Sequence, residues 1–240
     1  MQEQHSELLK SEDVPVSRKE KKEIGIIAVA SGEGISDLLK ELGADEIISG
    51  GQTMNPSTKD FMDRIDELDN CEKIMIFPNN SNIMLSAKQA SQMSGGKEVE
   101  VVNCKSIQSC ISALALYDQK LSFEENLENF NTAAAGVKEI DVTYAVKDSS
   151  YEGATVKEGD YMAMAAKSIV ASGTDLVAVV CDGIDKIADD ETDMITVITG
   201  EDAKEEDNKK IMEYIENNTD ADAELIKGDV PVYYYLIGVE

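Results

Sequence analysis

The chain has 240 residues, of which 42% are hydrophobic and 29% charged, which is ordinary for a globular protein that dissolves in water. Its 48 acidic residues outnumber 22 basic ones, and the net charge of −26 repels nucleic-acid phosphates and anionic membranes. No run approaches the roughly 18 apolar residues of a membrane helix, so we expect neither a nucleic-acid partner nor membrane insertion.

The first 23 residues form a charged segment without the apolar stretch of a secretory signal. We interpret residues 1–23 as a linker and expect a cytoplasmic location. The four cysteines form no CxxC pair, and the only histidine, His5, lies in this segment. The sequence therefore encodes neither a disulfide framework nor a zinc cluster, and we expect the cysteines to be small buried hydrophobes.

From residue 24 to residue 120, short apolar runs alternate with amphipathic runs of helical length, which indicates βαβ units around a parallel sheet. Strands are predicted at 24–30, 46–50, 73–78 and 99–102. Helices are predicted at 34–44, 57–69, 79–93 and 106–117, the first ended by Gly43, the second capped by Ser57 or Thr58 and the third by asparagines. Four such units favour a doubly wound parallel lobe.

Residues 121–240 follow a different pattern, which begins with a predicted helix at 123–137. Alternating polar and apolar residues then predict short antiparallel strands, followed by two helices, two apolar strands and a closing hairpin. This order predicts an α+β lobe with a largely antiparallel or mixed sheet. Residues 138–240 carry 25 acidic and 9 basic residues, an excess that serves either solubility or the steering of a basic protein partner.

Three polar loops follow predicted strands and open helices: "ASGEG" (30–34), "GGQTMNPST" (50–58) and "PNNSN" (78–82). Ligands bind at this edge of open α/β sheets, so the loops form a candidate crevice for an anionic or amide group. The alternative is that such residues simply suit turns and helix starts. The candidate ligand-binding residues are Ser31, Gly51, Thr53, Asn55, Ser57, Asn79, Asn80 and Ser81.

No catalytic or metal-binding residue can be assigned from the sequence. Gly32 and Gly34 form a GxG after a strand, but Asp37 replaces the third glycine of a dinucleotide fingerprint and Glu33 would face a pyrophosphate. A phosphate-binding P-loop and a GxSxG nucleophile motif are both absent from the sequence.

The strand-like end "GDVPVYYYLIGVE" places three tyrosines in a row, and such a row points to both sides of a strand. We predict Tyr233 and Tyr235 as partner-binding residues, because exposed aromatic side chains favour interfaces. Ordinary packing within the sheet is the alternative.

Several stretches together resemble a known family: "GADEIISGGQTMNPSTKDFMDRI", "KIMIFPNNSNIMLSAKQA", "VNCKSIQSCISALALYD" and "VTYAVKDSSYEGATVKEGDYMAM". In that order they are similar to the C-terminal domain of the bacterial dihydroxyacetone-kinase-like large subunit of fatty acid kinase. The resemblance implies the two-lobed fold of the DegV-type fatty-acid-binding proteins, which carry the acyl substrate of that kinase.

The resemblance also implies a function. In the binding proteins, loops similar to 53–57 and 79–81 grip the fatty-acid carboxylate together with a histidine, and residues 24–240 here contain none. The resemblance therefore implies a non-catalytic domain that docks a DegV-type partner, with ATP and magnesium held by an N-terminal kinase domain outside this chain. The alternative is a domain that itself binds a fatty acid or small anion between its lobes.

Overall fold

The computed structural model describes residues 21–50, 55–151 and 154–240, which form two lobes, each built on one principal sheet. The strands are β1 (Lys22–Ala30), β2 (Glu46–Ser49), β3 (Cys71–Phe77), β4 (Glu98–Val101), β5 (Lys138–Tyr144), β6 (Ser149–Tyr151), β7 (Ala154–Val156), β8 (Tyr161–Ala165), β9 (Ser168–Gly173), β10 (Met194–Gly200), β11 (Asp222–Val230) and β12 (Tyr235–Val239). The helices are α1 (Glu33–Glu41), α2 (Thr58–Glu67), α3 (Met84–Gln92), α4 (Ile107–Ala115), α5 (Phe123–Gly136), α6 (Leu176–Ile187) and α7 (Glu205–Asn218).

The first sheet has the strand order β2-β1-β3-β4, and every pair is parallel. Alternate residues of a strand point to opposite faces, so Ile26 and Ala28 of β1 pack with α1, α4 and α5, while Ile27 and Val29 pack with α2 and α3. Helices therefore cover both faces. The predicted doubly wound parallel lobe is confirmed.

The second sheet is mixed, with the order β11-β10-β12-β5-β8-β9. Only β10 and β11 pair in parallel, and the other neighbours are antiparallel. A separate two-stranded sheet joins β6 and β7. The predicted α+β lobe with a mixed sheet is confirmed, and the fold class is α/β with two lobes.

The predicted closing hairpin is wrong, because β12 pairs with β10 and β5 and not with β11. Every residue of β12 is buried, as expected of a strand in the middle of a sheet that is covered on both faces. Strand β11 alternates exposed and half-buried residues over most of its length, and it forms the edge. Burial decides which strand is central, and chain order does not.

Helix α5, which the sequence assigns to the second lobe, packs in the core of the first sheet. Phe123 and Phe130 are fully buried there, and the ring of Phe130 meets Phe77 of β3 edge-on at 5.1 Å between centroids. The division of the chain after residue 120 stays a prediction.

Other predictions concern the cysteines and the membrane. Cys71, Cys104, Cys110 and Cys181 are free and buried, which confirms their role as small buried hydrophobes. In the part of the chain that the structure describes, no helix combines the length and apolarity needed to cross a bilayer.

Candidate functional site at the junction of the lobes

The polar loops after β1, β2 and β3 meet at the carboxyl edge of the first sheet, where hydrogen bonds tie them together. The backbone N–H of Gly50 donates to the carbonyl of Ala30 at 2.8 Å. The Asn79 amide donates to the Gly50 carbonyl at 3.0 Å, and the Asn80 amide donates to the side-chain oxygen of Asn79 at 3.0 Å. Both asparagines are buried, so these amide donors hold the loops against each other.

The structure brings together only part of the predicted ligand-binding set. Ser31, Asn79 and Asn80 line one cavity between the lobes. Asn55 and Ser81 are exposed and lie outside its lining. Gly51 and Thr53 fall outside the described residues. The role of these residues in ligand binding stays a prediction.

Ser57 serves as the N-cap of α2, as the sequence predicts. Its hydroxyl accepts from the backbone N–H of Asp60, and the Asp60 carboxylate accepts from the N–H and the hydroxyl of Ser57 at 2.7 and 2.8 Å. These hydrogen bonds, that to the backbone foremost, lower the pKa of Asp60. The polar groups of Ser57 are thus already used within the helix cap.

The asparagines after β3 do not cap α3, and this prediction is wrong. The residue at the N-cap is Ile83, which makes no side-chain cap hydrogen bond. The Asn80 side chain instead accepts from the backbone N–H of Asn82 at 2.9 Å, forming an Asx turn before the helix. The loop, and not the helix end, uses the asparagine.

The cavity at the junction has a volume of about 70 Å³. A ligand pocket for a small molecule typically has about 300–1,000 Å³. The opposite wall comes from the second lobe and α4, and it includes Gln108, Glu139 and Asp141. The space suits a few water molecules or a very small polar group, and two carboxylates face it.

Asp141 has an unusual ionisation. Burial raises the pKa of its carboxyl to about 6, the nearby charge of Glu139 raises it further, and a hydrogen bond from the Gln108 amide at 3.1 Å partly offsets the rise. The carboxylate is thus held in a poorly hydrated place by one neutral donor. An anionic ligand at this position would meet like charge.

Sequence reasoning missed Gln108, Glu139 and Asp141. The two acids stand two residues apart in "EIDVTY", so they share one face of β5, and this signal was available in the alternating pattern. Gln108 gives no such signal, because it lies 33 residues away from Asp141 along the chain.

The GxG of residues 32–34 serves the contact between lobes. Gly32 has a φ of 100°, and a Cβ there would clash with the carbonyl of Gly228. A Cβ on Gly34 would clash with the carbonyl of Lys227 in β11. The two glycines let α1 approach the backbone of the second lobe closely.

The three consecutive tyrosines separate into different environments, which corrects the expectation for Tyr235. Tyr235 is fully buried, and its hydroxyl donates to Asn208 at 2.7 Å, so its side chain is not available to a partner. Tyr233 is half-buried against the core of the first sheet. Tyr234 joins Tyr161 and the exposed Tyr144 in an aromatic cluster on the surface of the second lobe.

Comparison with known proteins adds relatives of greater length. The chain is 37% identical over 246 aligned positions to an uncharacterized protein of Staphylococcus haemolyticus, and it covers 44% of that protein. An uncharacterized protein of Staphylococcus aureus is 36% identical over 242 positions, again with 44% covered. The chain therefore spans less than half of the curated relatives it matches.

Solved structures with low sequence identity share the fold. A DegV family protein from Corynebacterium glutamicum matches with a TM-score of 0.68 at 13% identity, covering 90% of this chain and 96% of that one. The Fak B3 protein of Streptococcus pneumoniae, loaded with linoleic acid, matches at 0.59 and 14%, covering 91% and 99%. The dihydroxyacetone kinase of C. freundii, in complex with AMP-PNP and Mg²⁺, matches at 0.55 and 14%, covering 93% and 49%.

The family model of the FakA-like C-terminal domain, named after fatty acid kinase, matches residues 25–240, which is nearly the whole chain. This match agrees with the two-lobed, DegV-like arrangement of the sheets. The chain belongs to the family of FakA-like C-terminal domains.

Proposed function

We propose that this chain is a non-catalytic domain that docks or positions a DegV-type fatty-acid-binding protein, so that a kinase domain elsewhere can phosphorylate the bound acyl group. The family assignment supports this role, and the longer relatives leave room for a separate kinase domain. ATP and magnesium belong to that kinase domain in this proposal. The chain contributes recognition and not chemistry.

The junction cavity carries the choice between docking and ligand binding. Its volume of about 70 Å³ is several-fold below that of ordinary ligand pockets, which disfavours an acyl chain inside. Glu139 and Asp141 face the space that a carboxylate would need, and the side chains of Asn79 and Asn80 are already engaged in holding the loops. This arrangement supports docking over fatty-acid binding.

The proposed function is tested by titrating a DegV-type fatty-acid-binding protein, loaded with a fatty acid, into this chain by isothermal calorimetry. We expect a one-to-one complex with a Kd of about 10 µM or tighter, the range of transient signalling and enzyme-docking contacts. Absence of binding at tens of micromolar would contradict the proposal.

The alternative, a domain that binds its own fatty acid, is tested by organic extraction and mass spectrometry of the purified chain. We expect no stoichiometric fatty acid. A stoichiometric acyl ligand would reverse the preference and make the junction cavity an acyl site that opens around its ligand.

A further inference from the structure

An open groove of about 920 Å³ lies between α6 and α7 on the second lobe, on the side of the sheet away from the first lobe. One wall is aromatic: the rings of Tyr161 and Tyr234 meet edge-on at 5.1 Å between centroids, and Tyr144 meets the Tyr234 ring at 6.4 Å. The half-buried side chains of Leu176 and Val177 add apolar surface. The groove therefore has an apolar and aromatic lining.

The other lining residues are mostly acidic: four aspartates, Asp175, Asp182, Asp202 and Asp207, against two lysines, Lys204 and Lys210. Some of this charge is already used. Asp207 pairs with Lys210 at 3.4 Å, and Asp175 accepts from the backbone N–H of Ala178 as the N-cap of α6.

Two of the aspartates remain available to a partner. Asp182 and Asp202 are exposed, and among the residues that the structure describes neither has a hydrogen-bond or ion-pair partner. Asp202 lies close enough to the aromatic cluster for its charge to raise the pKa of Tyr234, although burial raises it more. Free carboxylates and aromatic rings thus line the same groove.

This combination specifies the chemistry of an occupant. Tyrosine faces attract Lys and Arg by cation–π interaction, and free carboxylates accept hydrogen bonds from the same cations. The surrounding lobe adds a long-range field, because residues 138–240 hold 25 acidic and 9 basic residues. A fatty-acid carboxylate or a phosphate would be repelled.

We propose that the groove between α6 and α7 is the docking surface for a Lys- or Arg-bearing segment with apolar flanks on the acyl-carrying partner protein. This inference rests on the proposed function and adds its location: the contact lies on the second lobe, away from the loops after β1–β3. The aromatic wall receives the apolar flank and the cation, and Asp182 and Asp202 attract the partner from a distance.

The inference is tested by charge reversal with a matched control, using the fatty-acid-loaded DegV-type protein as the titrant. The groove variant is Asp182→Lys with Asp202→Lys. The control is Glu216→Lys with Glu224→Lys, which makes the same change in net charge at exposed positions of the same lobe outside the groove. Both pairs are surface residues, so thermal unfolding should move little, typically within about 0.5 kcal/mol per site.

We expect the groove variant to bind at least about tenfold more weakly than the control at low salt, with a weaker dependence on salt concentration. Equal affinity of the two variants would overturn the groove as the docking surface while leaving the docking function intact. No binding by the unmodified chain would overturn both.

A second variant removes the aromatic part without changing charge. Tyr144→Ala deletes an exposed ring that contacts Tyr234, so we expect a several-fold loss of affinity with an unchanged dependence on salt. An unchanged affinity in a variant that keeps the unfolding temperature of the parent chain would contradict a role for the aromatic wall.

Discussion

The two faces of the six-stranded sheet differ in composition and in what covers them. Ile140, Val142 and Ile237 point to the face that α6 and α7 cover, in a wholly apolar core. On the other face Asp141 lies beside Leu236, and α4 of the first lobe supplies Gln108 as its hydrogen-bond partner. One face is therefore an ordinary core, and the other is a partly polar junction.

The difference shows how the two lobes are held together. Contacts between lobes resemble protein–protein interfaces, which tolerate polar groups when these are hydrogen-bonded. Here the junction combines close backbone approach at Gly32 and Gly34 with the pair of Gln108 and Asp141. Shape and hydrogen bonding fix the relative position of the lobes there, whereas apolar burial stabilises the other face.

The largest effect is expected when the backbone contact of the junction is blocked. In Gly34→Ala the new methyl group would meet the Lys227 carbonyl, so α1 and β11 must move apart. We expect a loss of about 2–3 kcal/mol in the free energy of unfolding, measured by urea denaturation. Gly136→Ala is the control, because a Cβ there meets no atom within 4 Å, and it should be neutral or slightly stabilising. Equal effects of both changes would show that the junction is not tightly packed.

A smaller effect is expected at the buried carboxyl of the junction. The folded-state pKa of Asp141 is raised to about 6, above the ordinary value of 3.8, so the folded state holds the proton more tightly than the unfolded state. Its contribution to stability is therefore full below pH 4 and is lost as the pH rises from about 4 to about 6. Screening by solvent limits the loss to the order of 1–2 kcal/mol.

Asp141→Asn keeps an acceptor for the Gln108 amide and removes the titration. We expect the stability of the variant, relative to the unmodified chain, to rise between pH 4 and pH 6 and then level off. Chemical denaturation across this range measures the difference. A difference that does not change with pH would contradict the raised pKa.

The smallest effect is expected on the apolar face. Tyr235→Phe removes the hydroxyl that donates to Asn208, and we expect a loss of about 1 kcal/mol in the free energy of unfolding without loss of partner binding. Tyr144→Phe, at an exposed ring, should change stability by less than about 0.5 kcal/mol. A loss of partner binding in Tyr235→Phe at unchanged stability would return this tyrosine to the interface.

Local pattern was sufficient for most of the fold. The strands of the first lobe lie within two residues of their predicted ends, because continuous apolar runs bounded by turn residues fit only buried parallel strands in this alternation. The cap at Ser57 follows from its own neighbours. The position of β12 could not be predicted in this way, because strand order depends on burial by helices distant in the chain.

The candidate site was less predictable. The sequence indicated that the loops after β1, β2 and β3 would meet, and Ser31, Asn79 and Asn80 do line one cavity. It did not reveal that the asparagine amides are engaged in tying the loops, or that Asp141 faces them from the second lobe. Such contacts join residues far apart in the chain and leave no periodic signal.

The sequence by itself determined the two-lobed α/β plan, the family and the strong acidity, because hydrophobic period, turn residues and charge are local or additive properties. Only the tertiary structure decided which tyrosines are exposed, why Gly32 and Gly34 must be small, and where the acidic groove between α6 and α7 lies. Those features arise where separate elements pack together, and the geometry of that packing is not written in any single segment of the chain.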